Sequence, residues 1–229
     1  MNDFFLFAVL PYVSLVLFFI VTIRRYISRA FSYSSLSSQF LENRQHFWGS
    51  VPFHYGILAV LAGHIGAFLI PRSLLWWNSV PVRLVALEVT GMAFAVITLV
   101  GLVMIILRRY GNQKVRVVTT ISDWIIYALL LVQVTSGLMV AVYHGWGSSW
   151  FATNMTPWLR SLLFLSPDVS YVAPLPFLAK LHIVNAFLLI GFFPFTRLVH
   201  VLVVPNHYLW RRTQLVRWNW NRKTIRSSD

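Results

Sequence analysis

Four histidines lie in two long apolar stretches of the chain. His54 and His64 belong to residues 51–70, and His182 and His200 belong to residues 177–200. An imidazole in an apolar environment is energetically costly unless it binds something, and imidazole is a common axial ligand of haem iron. Four imidazoles are enough to give each of two iron centres two axial ligands. The pattern therefore predicts two haems that serve electron transfer.

The residue types around these histidines favour haem over other metals. A single histidine in a membrane span is more often a hydrogen-bonded polar residue than a ligand, but here two spans carry two each. No Cys, Asp or Glu shares their depth, which disfavours zinc and copper sites. The chain has no cysteine, so it cannot attach a haem covalently or ligate an iron–sulfur cluster. The predicted cofactors are therefore two non-covalent haems b.

The spacing alone does not determine which histidines pair. Ten residues separate His54 from His64, which leaves them about 80° short of the same helix face. Eighteen residues separate His182 from His200, which returns both to one face of an ideal helix, about 27 Å apart along its axis. Pro194 lies between them and predicts a kink, because proline lacks the backbone N–H.

The composition places these stretches in a membrane. Of 229 residues, 58% are hydrophobic and 11% are charged, and the mean hydropathy is +0.68. Soluble domains do not have such a composition. Three more apolar stretches, 4–23, 84–107 and 122–143, each approach the roughly 20 residues that a helix needs to cross a bilayer. The predicted fold is an all-α membrane protein, a five-transmembrane-helix bundle over residues 1–204 that binds two b-type haems, followed by a basic cytoplasmic tail over 205–229.

The distribution of charge predicts the orientation of these helices. The loops expected on one side, together with the tail, carry 14 of the 19 basic residues: Arg24, Arg25, Arg29, Arg44, Arg108, Arg109, Lys114, Arg116, Arg211, Arg212, Arg217, Arg222, Lys223 and Arg226. By the positive-inside rule this side is cytoplasmic, so the C-terminus is inside and the N-terminus outside. No Lys or Arg precedes the first stretch and Arg24 follows it, which predicts a retained helix rather than a signal peptide.

The net charge of +13 is explained by this orientation and by lipid. The basic residues flank spans in short loops, where they meet anionic headgroups, and do not form a folded nucleic-acid-binding surface. We therefore expect membrane lipid, and no nucleic acid, as a partner. Tryptophans at 210, 218 and 220 stand among the cations of the tail, which favours the docking of a protein subunit there.

Several polar residues allow both a structural and a functional interpretation. Arg197 lies one turn before His200, where it would pair with a haem propionate or extend to the membrane surface. Glu88 lies near the outer end of the third helix, either as a carboxylate stabilised by a helix N-terminus or as a proton acceptor for a redox substrate. Gly56, Gly63 and Gly66 flank the first two histidines and serve helix packing or leave room for a macrocycle.

Other local patterns predict elements rather than chemistry. Ser50 and Pro52 suit the start of the second helix, and Thr120 with Asp123 has capping-box spacing. Residues 157–165 are typical of a short interfacial helix in an outer segment that would cover an apolar site. Gln133, Thr135 and Ser136 form a polar patch that we expect to face other helices.

Three segments resemble the gamma, or cytochrome b, subunit of membrane-bound respiratory nitrate reductases. They are FHYGILAVLAGHIG at 53–66, KVRVVTTISD at 114–123, and KLHIVNAFLLIGFFPFTRLVH at 180–200 followed by VPNHYLWRRTQLVR at 204–217. The resemblance implies that His54 and His200 hold the inner haem and that His64 and His182 hold the outer one. It also implies quinol oxidation near the outer haem, with electrons passing to a cytoplasmic iron–sulfur (beta) subunit and then to a molybdenum (alpha) subunit that reduces nitrate.

One position differs from the family pattern. Family members carry a lysine shortly after the proline that opens the third helix, whereas here Arg83 is the nearest cation after Pro81. We expect Arg83 to hold the quinone oxygen, with Glu88 as proton acceptor, in a bacterial or archaeal cytoplasmic membrane. The alternatives are a di-haem quinol-linked anchor of a different respiratory oxidoreductase, and a haem-free membrane anchor or transporter. A transporter is disfavoured because the sequence has no internal repeat.

Overall fold

The computed structural model of the protein describes residues 3–29, 38, 41–42 and 44–203. In this part of the chain all regular structure is helical, and a π-helical turn, Phe5–Val9, precedes the first α-helix. The α-helices are α1 Leu10–Arg29, α2 Arg44–Leu69, α3 Pro71–Asn78, α4 Pro81–Gly111, α5 Gln113–Val117, α6 Ile121–Tyr143, α7 Gly147–Trp150, α8 Thr156–Leu163 and α9 Phe177–Phe192. The basic tail, 205–229, and most of the first inner loop lie outside the described residues.

Five of these helices are long and apolar enough to cross a membrane, which confirms the predicted number of spans. The spans are Phe5–Ser28, Gln45–Leu69, Pro81–Gly111, Ile121–Tyr143 and Phe177–Phe195. The capping box that was predicted before α6 is also confirmed. The Thr120 hydroxyl accepts from the Asp123 backbone N–H at 3.3 Å, and the Asp123 carboxylate accepts from the Thr120 backbone N–H at 2.9 Å.

The predicted start of the second helix is wrong. Ser50 and Pro52 do not open α2, which begins at Arg44 and contains Pro52 within it. The Glu42 carboxylate, eight residues before Ser50, caps the helix, since its two oxygens accept from the backbone N–H groups of Gln45 at 2.8 Å and of His46 at 3.1 Å. A carboxylate that satisfies two N–H groups of the first turn outcompetes the weaker serine cap.

The spanning helices pack in the order α2, α4, α6, α9 and α1. The closest approach is between α2 and α4, where Gly56 faces α4 and Gly101 faces the backbone of Phe53. A Cβ at Gly56 would lie 2.8 Å from the carbonyl oxygen of Phe94, so only glycine fits there without displacing the helix. Of the two interpretations given for Gly56, helix packing or room for a macrocycle, the structure supports helix packing.

The predicted short helix of the outer segment is present as α8. Trp158 is fully buried between Phe7 and Phe187, and its indole N–H donates to the Phe7 carbonyl at 3.0 Å. The hydroxyl of Tyr12, a residue inside the first membrane span, donates to the Leu162 carbonyl at 3.0 Å. The helix α8 therefore packs on the first turns of the first span, as expected for an interfacial helix.

The fifth span is not one continuous helix. The α-helix ends at Phe192, and two 3₁₀ segments, Phe193–Phe195 and Arg197–Val203, follow it. The kink predicted at Pro194 is confirmed, but the ideal-helix relation between His182 and His200 is wrong, because Thr196 between the two segments is extended with ψ of 178°. His200 therefore lies on a 3₁₀ segment, whereas His182 lies on α9.

Candidate functional site

The structure brings the four predicted histidines together in two pairs between α2 and the fifth span. The ring centres of His54 and His200 are 6.4 Å apart with their planes inclined by 63°. The ring centres of His64 and His182 are also 6.4 Å apart, with an inclination of 31°. These are the pairs that the family resemblance implied, and their role as ligands stays a prediction.

The separation within each pair fits a single metal between two opposed imidazoles. A metal–nitrogen bond of about 2.0–2.1 Å, with roughly 1.1 Å from that nitrogen to the ring centre, puts two opposed ring centres roughly 6.3 Å apart. Both pairs measure 6.4 Å. Two rings on a shared ligand axis rotate freely about it, so the two inclinations are both compatible with this arrangement.

The ring hydrogen bonds of His54, His64 and His200 are made through Nδ1, whereas on His182 the Gln133 side-chain nitrogen also lies 3.1 Å from Nε2. Each Nδ1 faces a backbone carbonyl oxygen, which accepts only, so Nδ1 carries the proton and Nε2 keeps its lone pair. The distances are 2.7 Å from His54 to Ser50, 2.8 Å from His64 to Val60, 3.0 Å from His182 to Gln133, and 2.6 Å from His200 to Arg197. Histidines that bind a metal through one nitrogen typically donate from the other in this way.

The helices that carry the pairs leave space between them. Among the described residues α2 packs on α4 and α9 packs on α6 and α1, while α2 and α9 do not pack extensively on each other. A Cβ added at Gly63 or Gly66, on either side of His64, would meet no atom within 4 Å. The paired imidazoles and this open space beside His64 fit a flat macrocycle at the pair of His64 and His182. Within the described residues no group of three or more His, Cys, Asp or Glu could form a different metal centre.

The outer histidine has partners on α6 that sequence reasoning did not assign. The Ser136 hydroxyl lies 3.1 Å from Nδ1 of His182, and the Gln133 side-chain nitrogen lies 3.1 Å from Nε2 of the same ring. The amide of Asn185 donates to the Gln133 side-chain oxygen at 2.7 Å and is itself buried. Gly137 leaves room for the ring, since a Cβ there would lie 2.7 Å from Cε1 of His182. Two members of the expected polar patch, Gln133 and Ser136, therefore do face another helix.

The ring of Phe151, from the segment between α6 and the fifth span, contacts His64, the partner of His182. The centre of the Phe151 ring lies 5.5 Å from that of His64, with the planes at 89°. Phe151 begins a π-helical turn, Phe151–Met155, that follows α7. Nothing in the local sequence distinguishes Phe151 from the other aromatic residues of this segment, so only the fold identifies it.

Arg197 and Asp123 form a buried ion pair near the inner histidines. The Arg197 Nε lies 3.0 Å from an oxygen of Asp123, and its Nη2 donates to the Val118 carbonyl at 2.8 Å. Asp123 is 3% exposed, and Arg109 lies 3.7 Å from its second oxygen. Arg197 therefore has a protein carboxylate as a partner. Its predicted contact with a haem propionate stays a prediction.

The two residues expected at the quinol site both lie at the outer end of α4. The Arg83 guanidinium stacks on two rings, 5.5 Å from Trp76 and 5.3 Å from Trp77. Glu88 accepts from the backbone N–H groups of Trp146 and Ser148, each at 3.2 Å, and from the Ser148 hydroxyl at 3.1 Å. Glu88 thus stabilises the N-terminus of α7 rather than that of its own helix, and its role as a proton acceptor is still a prediction.

Comparison with known proteins identifies the family. Residues 3–219 match the family described as nitrate reductase gamma subunit. The chain is 32% identical over 211 residues to the nitrate reductase gamma chain of Bacillus subtilis, which covers 90% of this chain and 94% of that protein. It is also 32% identical over 218 residues to the respiratory nitrate reductase 1 gamma chain of Escherichia coli, over 93% of this chain and 96% of that protein. The match includes all five spanning helices, and the chain belongs to the nitrate reductase gamma subunit family.

Proposed function

We propose that this chain is the quinol-oxidising, di-haem cytochrome b subunit of a membrane-bound respiratory nitrate reductase. His54 and His200 would hold the inner haem and His64 and His182 the outer haem. The observation that carries the proposal is the pair of 6.4 Å separations between imidazoles whose Nδ1 atoms all face carbonyl oxygens. Haem iron, when bound, would supply transfer of single electrons across the membrane.

The residues around the pairs would orient the imidazoles and exclude other ligands. If each iron were held by two imidazoles in this way, the haems would supply electron transfer rather than oxygen chemistry. The Nδ1 hydrogen bonds fix the tautomer of each ring. The Phe151 ring packs edge-on against the imidazole of His64 and would limit its rotation.

Optical spectra of the purified protein test the haem assignment. The reduced-minus-oxidised spectrum should show two b-type haems per chain. His54→Ala or His200→Ala should remove one haem, and His64→Ala or His182→Ala should remove the other. His144→Ala is the matched control, because His144 ends α6 outside both pairs, and it should keep both haems. Full haem content in any of the four pair variants would overturn the ligand assignment, and a haem-free wild type would favour a structural anchor.

Quinol oxidation is proposed at the outer end, between the outer pair and the start of α4. Glu88 holds the segment that begins at Trp146, and this segment continues to Phe151 against His64. Arg83 and Glu88 therefore lie at the same end of the bundle as the outer pair. Arg83 would hold a quinone oxygen and Glu88 would accept a proton.

Glu88→Gln tests this part of the proposal. The substitution should slow quinol oxidation and leave haem content and reduction by dithionite unchanged. An unchanged quinol rate would restrict Glu88 to its contacts with Trp146 and Ser148. In membrane vesicles of known orientation, quinol turnover should release protons on the outer face, because the proposed quinol site opens there, while the electrons pass inward. Proton release on the cytoplasmic face would contradict an outer quinol site.

The proposed partners are an iron–sulfur (beta) subunit and a molybdenum (alpha) subunit on the cytoplasmic side. Support comes from the basic inner loops and from the tail, in which tryptophans stand among arginines. Truncation after Tyr208 should keep the haems and release the partner subunits from the membrane. If the complex survives this truncation, the docking surface lies elsewhere, and the first inner loop becomes the candidate.

A further inference from the structure

The position of His200 is not determined by a regular α-helix. The α-helix of the fifth span ends at Phe192, and the chain turns at Thr196 before the segment that carries His200. A 3₁₀ segment has weaker hydrogen-bond geometry than an α-helix. The placement of His200 must therefore depend on contacts from the neighbouring helices.

One such contact comes from Arg25 of α1. Its Nη1 donates to the carbonyl oxygen of Pro194 at 2.6 Å and to that of Thr196 at 3.0 Å. These carbonyls lie at the end of α9 and at the turn, where the backbone lacks regular helical partners. A charged donor forms stronger hydrogen bonds than a neutral one, so Arg25 fixes both sides of the turn to α1.

A second contact comes from Asp123 of α6. One oxygen of this buried carboxylate lies 3.0 Å from Nε of Arg197, and the other accepts from the Thr120 backbone N–H at 2.9 Å. The carboxylate is thus held by the α6 capping box while it holds the Arg197 guanidinium. The carbonyl of Arg197 in turn accepts from Nδ1 of His200 at 2.6 Å.

We propose that Asp123 and Arg25 are positioning residues for His200, an inference that rests on the proposed role of His200 as an inner haem ligand. Asp123 acts through Arg197, whose backbone carbonyl sets the orientation of the imidazole. Arg25 acts through the turn at Pro194 and Thr196, which sets where the segment leaves the fifth span. The contacts described for both residues are to the segment that leads to His200, so we expect both to act on the inner pair.

Asp123→Asn is the first test. Asparagine has one oxygen, so it leaves either Arg197 or the Thr120 N–H without its acceptor. Loss of a partner that orients a ligand typically lowers affinity by about 10–100-fold. We expect the inner haem to be lost on dilution, or its electron paramagnetic resonance signal and reduction potential to shift, while the outer haem is unchanged. Glu42→Gln is the matched control, since Glu42 also pairs with an inner arginine, Arg108 at 2.8 Å, and should leave both signals as in wild type.

Arg25→Gln and Arg25→Lys form the second test, on a different helix. Gln should perturb the inner signal, and Lys, which keeps the positive donor, should restore it in part. If Asp123→Asn loses both haems, the variant has failed to fold and the Arg25 pair decides. Suppose that His200→Ala removes the inner haem but that Asp123→Asn and Arg25→Gln both leave the inner signal unchanged. This result overturns the positioning role and leaves the proposed function intact. Two haems in His200→Ala overturn the proposed function, and the positioning role with it.

Discussion

Gly137→Ala should selectively weaken the outer haem site. The added Cβ would lie 2.7 Å from Cε1 of His182, whereas ordinary contact begins at 3.4 Å. The ring must therefore retreat from α6 by about 0.7 Å. Gln133 lies on α6, as Gly137 does, so this retreat would also lengthen the hydrogen bond from Nδ1 of His182 to the Gln133 carbonyl. Its length would rise from 3.0 Å to about 3.5 Å, beyond the range of a good hydrogen bond.

Loss of this hydrogen bond should lower the affinity for the outer haem by about 10–100-fold. Gly91→Ala in α4 is the matched control, because a Cβ there meets no atom within 4 Å. Both variants gain the same helix propensity, about 1 kcal/mol, so that term cancels in the comparison. Haem titration and optical spectra of the two purified variants measure the difference. If Gly137→Ala keeps the outer haem with the affinity and spectrum of Gly91→Ala, the geometry assigned to His182 is wrong.

Two further predictions concern the ends of the bundle. Phe164 is 80% exposed just after α8, which packs on the first membrane span. We expect lipid to cover this side chain, so in this cysteine-free chain Phe164→Cys should resist a membrane-impermeant maleimide in vesicles, whereas Ser170→Cys should react. At the inner end, burial raises the pKa of Glu42, but hydrogen bonds from the Gln45 backbone and the Arg108 guanidinium outweigh it and hold the pKa below its ordinary value. A lowered folded-state pKa means that stability from this carboxylate is present above its ordinary pKa and lost as pH falls through the lowered one. The thermal midpoint of wild type should therefore fall more in acid than that of Glu42→Gln, and equal acid losses would contradict the assignment.

The spans and the four histidines could be predicted from the sequence because each depends on local properties. Hydropathy over about 20 residues identifies a membrane helix whatever it packs against. A histidine in such a stretch is conspicuous on its own, and Pro194 breaks a helix in any context. The capping box at Thr120 is equally local, and it forms as expected.

The surroundings of the histidines could not be predicted in the same way. Gln133, Gly137 and Asn185 matter because α6 packs on α9, and the spacing within either helix does not reveal that neighbour. The start of α2 was missed for a related reason. Ser50 has the local pattern of a cap, but the carboxylate of Glu42, eight residues before it, satisfies the helix terminus instead.

The two histidine pairs differ in how the fold supports them. His64 and His182 both lie on regular α-helices, and His182 is held further by side chains of α6. In the inner pair, His54 lies on α2 but His200 lies on a 3₁₀ segment after the break. The outer pair is therefore set by the bundle itself, whereas the inner pair depends on individual contacts to one short segment. The basic tail begins five residues after His200 in the sequence. If a partner subunit binds the tail as proposed, we therefore expect it to influence the inner pair more than the outer pair.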